Sequence, residues 1–78
     1  MWHVYILKCN DRTYYTGCTC DLDDRLKRHN NGRVKYTSSR LPINLITTIN
    51  FFDKYKAYEF ENYLKSGSGK AFMNKRLI

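Results

Sequence analysis

Tyr5, Tyr15, Arg25 and His29 lie within residues 3 to 29 of the chain, at spacings that could aim all four at one spot. Their types suit chemistry on a phosphorylated anion. A guanidinium is always charged and donates two parallel hydrogen bonds to phosphate oxygens. A tyrosine, with an ordinary pKa of about 10, serves as a base near neutrality only where neighbouring positive charge favours the phenolate. Further on, Glu61 falls inside the apolar stripe of its helix, four after Ala57 and three before Leu64, whereas Glu59 points nearly the opposite way. A carboxylate on the packed side of a helix is costly unless a cation meets it. That cation is either a metal ion or a structural partner such as Arg25 or a lysine. One such carboxylate suits a single Mg²⁺ that keeps most of its waters.

The elements that must position these groups follow from the chain itself. Trp2 to Cys9 and Tyr14 to Cys18 are β-favouring runs separated by polar turn formers, and such close neighbours pair as a hairpin. A three-residue connection, Asn10 to Arg12, pairs Leu7 with Tyr15 and Tyr5 with Gly17. Tyr5 and Tyr15 then share one face and Tyr14 takes the other. Gly17 opposite Tyr5 leaves a gap through which a substrate could approach the backbone. Next, TCDLDDRLKRHNNG holds a helix start and stop: Thr19 or Asp21 as cap, acids in the first turn, and Asn30-Asn31-Gly32 as terminator. Leu22 and Leu26 anchor its buried stripe, and Arg25 and His29 project from one flank.

Residues 33 to 42 read as a long surface loop, with Lys35, Tyr36 and Arg40 placed to follow a phosphodiester backbone and Tyr36 to stack on a base. The competing reading is a plain connector. Ile43 to Phe52 alternates as a half-buried third strand, with Ile43, Leu45, Ile49 and Phe51 at odd positions and Ile46 and Phe52 partly covered by helices. Asp53 caps a helix from about Lys54 to Lys65; Gly67 stops it, and Ser68 caps a short final one. KSGSGKAF is not a phosphate-binding P-loop, because a helix precedes it and Leu64 and Ala71 stand where that motif needs Gly and a hydroxyl residue.

His3-Val4-Tyr5, Tyr15-Thr16-Gly17, then Asp21-Leu22 through Arg25 and His29, together resemble the GIY-YIG nuclease superfamily, with HVY as the first motif and YTG as the second. Glu61 to Phe72 is similar to the C-terminal helical part of its short stand-alone bacterial members, so the resemblance covers nearly the whole chain. It implies a metal-dependent endonuclease acting on DNA, including branched or modified DNA in repair or recombination, and leaving a 5′-phosphate and a 3′-hydroxyl. It also implies Tyr5 as base, Tyr15 positioning water or phosphate, Arg25 on phosphate, His29 in phosphate contact or proton transfer, and Glu61 as ligand to Mg²⁺, with Mn²⁺ as a substitute. Asn74 stands near the superfamily's late polar residue. Two departures reshape the hairpin: His3 replaces the motif's glycine, and Arg12 sits at a turn position where relatives often have Gly. The rival reading is a nucleic-acid-binding module with weak turnover or none.

Seventy-eight residues allow one domain, 1–78, burying only roughly 60% of its unfolded surface. The implied fold is α+β, a small three-stranded antiparallel sheet flanked by about three helices. Fourteen Lys and Arg against seven Asp and Glu give a net charge of +7, which favours a polyanionic partner. The stretch Arg25 to Phe52 contains no acid, so Lys27, Arg28, Arg33, Lys35, Tyr36 and Arg40 are the expected nucleic-acid contacts. A merely solubilising surface is the alternative. DNA is the expected partner, RNA is left open, and a small chain of this kind suits a monomer or weak homodimer that relies on an accessory protein for substrate selection. Three cysteines, Cys9, Cys18 and Cys20, have no zinc spacing and cannot all pair, pointing to a reduced, cytoplasmic chain. No apolar run is long enough for a membrane span, and the N-terminus shows no signal-peptide pattern.

Overall fold

The computed structural model describes residues 1–78. Its element order is β1 (Trp2–Lys8), β2 (Tyr14–Thr19), α1 (Leu22–Asn30), α2 (Lys35–Ser38), β3 (Asn44–Phe51), α3 (Lys54–Leu64) and α4 (Gly67–Arg76). The three strands form one antiparallel sheet in the order β2-β1-β3. The expected three helices become four because part of the presumed loop, Lys35–Ser38, is helical.

β1 is central, and alternation along it divides the core. Val4 and Ile6 join Cys18, Ala57, Leu64 and Met73 on the face covered by α3 and α4. Tyr5 and Leu7 join Cys9 and Ile43 on the other face, where Leu22 and Leu26 of α1 pack. The two faces explain why Cys9 and Cys18, though both near the hairpin, remain free thiols along with exposed Cys20.

The hairpin has the odd-length connection. Leu7 faces Tyr15 and Tyr5 faces Gly17 in the ladder, and the Cys9 amide donates to the Thr13 carbonyl at 2.8 Å. Arg12 takes a φ of 69°, the left-handed conformation that favours glycine, so the departure at this turn carries a real backbone cost.

β3 corrects the simple alternation. A bulge between the partners of Ile6 and Leu7 inserts an extra residue, Ile46, so Thr47 faces Ile6 but Leu45 faces Leu7. Ile43 and Leu45 therefore lie on the Tyr5 face while Ile49 and Phe51 lie on the Val4 face: the odd positions divide between two sides. Nor do helices cover Ile46 and Phe52, which stay exposed at 41% and 91%.

Asp21 caps α1 by accepting from the Asp24 amide, and the Thr19 hydroxyl accepts from the Asp21 amide, so both candidates contribute to that turn. Asp53 caps α3 as its position implies. Ser66, not Ser68, caps α4, and the chain breaks between helices at Lys65-Ser66 rather than at Gly67. Gly69 then packs against the Tyr63 carbonyl so closely that a Cβ there would lie 1.6 Å from its oxygen. Gly69 of KSGSGKAF thus serves helix packing, whereas a Cβ on Gly67 would meet open space.

Candidate active site

Three elements bring the hydrogen-bonded part of the site together. β1 supplies Tyr5, α1 supplies His29 two turns after its cap, and α2 supplies Thr37; all three side chains are fully buried. The Tyr5 hydroxyl lies 3.0 Å from His29 Nε2, and His29 Nδ1 lies 2.7 Å from Thr37 Oγ1. Thr37 in turn donates to the Val34 carbonyl at 3.4 Å. Tyr15 from β2 completes the cluster, with its ring centroid 6.2 Å from that of Tyr5 and 4.9 Å from the His29 imidazole, edge to face. Hairpin parity and the four-residue spacing from Arg25 to His29 predict this convergence.

The gap expected at Gly17 is filled. A Cβ built on Gly17 would lie 2.3 Å from the Tyr5 hydroxyl, so the missing side chain makes room for the Tyr5 ring itself rather than for a substrate.

Electrostatics set the protonation states. Burial pushes the Tyr5 phenol well above its ordinary value; Tyr15 and Glu61 push the same way, and the opposing charge and hydrogen-bonding potential of Arg25 do not overcome them. Arg25 alone therefore does not create a phenolate: the neutral phenol is the resting state. Burial, aided by the Arg25 charge, lowers the pKa of His29, so the imidazole is neutral and can accept a proton.

Glu61 reaches the site from α3, on the opposite sheet face. It acts electrostatically on both Tyr5 and Cys18, as does Arg25 with the opposite sign. Glu61 does not pair with Arg25. Its side chain is 13% exposed, and its carboxylate accepts from Lys65 Nζ at 3.0 Å. The cost of a half-buried acid is thus met by a lysine here, one of the structural partners its position allowed. No group of three or more His, Cys, Asp or Glu converges anywhere in the chain. A lone carboxylate fits a hard ion that keeps most of its waters, and it does not fit a protein-caged metal.

The basic residues divide by environment. Lys27, Arg33 and Lys35 are exposed without a carboxylate partner, whereas Arg28 pairs with Asp24 at 3.2 Å. Arg40 is committed to the protein. It pairs with Asp11 at 3.0 Å, donates to the Tyr36 carbonyl, and lays its guanidinium over the Tyr36 ring, 4.1 Å from the centroid. Tyr36, 40% exposed, stands 5.5 Å from the Tyr15 ring. Beside them a cleft of about 300 Å³ runs between β2 and α4, lined by Tyr14, Tyr15, Tyr36, Lys65, Lys70 and Met73 among others. His3, at the motif's glycine position, contacts Asn50 at 2.6 Å, and Asn74 is exposed on α4. Sequence reasoning missed Thr37, because a small polar residue between Tyr36 and two serines carries no periodic signal.

Comparison with known proteins shows the family to which the chain belongs. The GIY-YIG catalytic domain model matches residues 1–76, and the chain belongs to that family. Within it, the chain is similar to short proteins named UPF0213. It is 43% identical over 65 residues to UPF0213 protein YsiG of Lactococcus lactis, covering 82% of this chain and 62% of that one. A Clostridium perfringens relative is 47% identical over 66 residues, covering 83% of this chain and 71% of the other. The solution NMR structure of a UPF0213 protein from Bacillus halodurans superposes with a TM-score of 0.60 at 39% identity, covering 96% of this chain and 84% of that one. The chain thus spans less than two thirds of the two Lactococcus lactis relatives, 62% and 64% of their lengths.

Proposed function

We propose that residues 1–78 form one nuclease domain, a metal-dependent endonuclease that hydrolyses DNA phosphodiester bonds. The carrying observation is the buried contact of the Tyr5 hydroxyl with His29 Nε2 at 3.0 Å, beside the charge of Arg25. It supplies what a neutral phenol needs to work as a base, an acceptor for its own proton. Once Tyr5 is opened to solvent, a water beside it gives a proton to the phenol oxygen as the phenol proton passes to His29 Nε2. The resulting hydroxide attacks phosphorus, the P–O3′ bond breaks, and the leaving 3′-oxygen takes a proton from solvent. Arg25 donates to the non-bridging oxygens as charge accumulates there, and Tyr15 orients water or phosphate.

Glu61 would hold the metal, Mg²⁺ with Mn²⁺ as substitute, exchanging its lysine partner for the ion. When bound, the ion supplies Lewis-acid stabilisation of the phosphate charge. Lys27, Arg33 and Lys35 would carry the duplex backbone, with Arg28 contributing once drawn from Asp24. The reading is of a cytoplasmic monomer or weak homodimer acting on DNA with a partner protein for selectivity, in repair or recombination. No helix is long and apolar enough to cross a membrane.

A second reading, a DNA-binding module without turnover, is favoured by one feature. Tyr5 has no exposed surface and Glu61 is occupied by Lys65, so both must open before chemistry. Incubating the protein with Mg²⁺ or Mn²⁺ and duplex, flap, junction and single-stranded DNA separates the two. Cleavage that Arg25→Ala or Glu61→Gln stops, with binding kept, supports the nuclease. Wild-type turnover in both variants rejects the assigned site, and binding with no cleavage of any substrate supports the second reading.

A further inference from the structure

We propose that Thr37 is a positioning residue for this reaction: its hydroxyl fixes the proton of neutral His29 on Nδ1, leaving Nε2 bare to receive the Tyr5 proton. The inference rests on the nuclease reading for its catalytic meaning, but its structural content stands on its own.

A neutral imidazole carries one N–H, and its location follows from what the other nitrogen meets. His29 has a hydroxyl on each side, Tyr5 on Nε2 and Thr37 on Nδ1, and either hydroxyl could give or take. The third partner breaks that symmetry. The Thr37 hydroxyl lies 3.4 Å from the Val34 carbonyl, three residues back at the N-cap of α2, the ordinary acceptor for a helical threonine. With its hydrogen directed there, Thr37 offers His29 only a lone pair. Nδ1 must then donate, Nε2 must accept, and Tyr5 donates to it. The chain of donors runs in one direction, from Tyr5 to His29 to Thr37 to Val34.

Complete burial makes this a constraint. Tyr5, His29 and Thr37 have no exposed surface, so no water rotates in to substitute a lost partner, and every buried side-chain polar atom is hydrogen-bonded. Position matters as well. Thr37 sits on a helix of only four residues whose neighbouring Arg40 is tied to Asp11 and Tyr36, which holds α2 against the β1–β2 connection. Removing the Thr37 hydroxyl leaves Nδ1–H without an acceptor. The proton then moves to Nε2, which donates to the Tyr5 oxygen and reverses the direction the reaction needs.

The test is ¹⁵N-detected NMR of the His29 ring in uniformly labelled protein near pH 8, in wild type, Thr37→Ser and Thr37→Val. Wild type and Thr37→Ser are expected in the Nδ1–H tautomer, with Nε2 showing the shift of a bare nitrogen, and Thr37→Val in the Nε2–H tautomer. In cleavage assays, kcat of Thr37→Val falls at least about tenfold with KM within about twofold, and Thr37→Ser restores most of it. A wild-type His29 protonated on Nε2 overturns the proposal without any variant. So does a Thr37→Val protein that keeps the wild-type tautomer. If wild type cleaves no DNA yet shows the expected tautomers, the nuclease reading fails and the Thr37 assignment stands.

Discussion

Tyr5 and Gly17 face each other across the first hairpin, and the phenol ring of one occupies the space a side chain on the other would need, with 2.3 Å between a built Cβ and the Tyr5 hydroxyl. The ring is rigid, so the clash cannot be relieved by a flexible tip. Gly17→Ala is expected to cost about 1–3 kcal/mol and to push Tyr5 off His29. Urea unfolding would measure the first effect and the His29 ring nitrogen shifts the second. An alanine variant with wild-type stability would show that the ring has other room.

Arg12 invites the opposite substitution. A left-handed non-glycine residue costs about 1–2 kcal/mol, and glycine loses back about 0.5–1 kcal/mol through unfolded-state freedom. The first outweighs the second. Arg12→Gly should therefore stabilise the protein slightly, by about 0.5–1 kcal/mol, visible as a higher denaturation midpoint. A lower midpoint would mean that the Arg12 side chain contributes contacts of its own.

His29 sets an acid limit. Its folded pKa lies below the ordinary 6.5, so between the two values the unfolded chain binds the proton and the folded one does not. Stability from this group is fully present above about 6.5 and is lost as pH falls towards the folded value. Cleavage should follow the same direction, because a protonated His29 accepts nothing from Tyr5. Thermal unfolding from pH 8 to 5 should show a shallower acid loss in His29→Gln than in wild type. Equal slopes would remove His29 as the source.

Glu61 and Lys65 are paired with the lysine more than half exposed, so the pair contributes little to stability. Glu61→Gln should leave the melting temperature nearly unchanged while abolishing metal-dependent cleavage. A chelator should likewise stop cleavage without unfolding the chain. A chelator that lowers the melting temperature would point to a structural metal instead.

Lys35 and Arg40 should separate in salt titrations of DNA affinity. Lys35 is exposed with no carboxylate partner, so Lys35→Ala should reduce the slope of log K against log salt by about 1. Arg40 is spent on Asp11 and Tyr36, so Arg40→Ala should leave that slope alone and weaken binding by loosening Tyr36. A reduced slope in Arg40→Ala would return it to the phosphate contacts.

Where local rules governed, the residues were legible. Two β-favouring runs with an odd connection placed Tyr5 and Tyr15 on one face, and helical spacing put Arg25 and His29 on one flank, because strand and helix periods are properties of the backbone alone. The caps Asp21 and Asp53 were readable for the same reason. What packing had to settle lay beyond that reach. The bulge at Ile46 depends on fitting β3 against β1, whereas the Glu61–Lys65 pair, four residues apart, follows from helical spacing. Burial of Tyr5, which outweighs the charge of Arg25, exists only once α1 and α2 close over the sheet face. Thr37 is the clearest case: eight residues from His29 in the chain, it acquires its meaning from a 2.7 Å contact that no periodicity encodes.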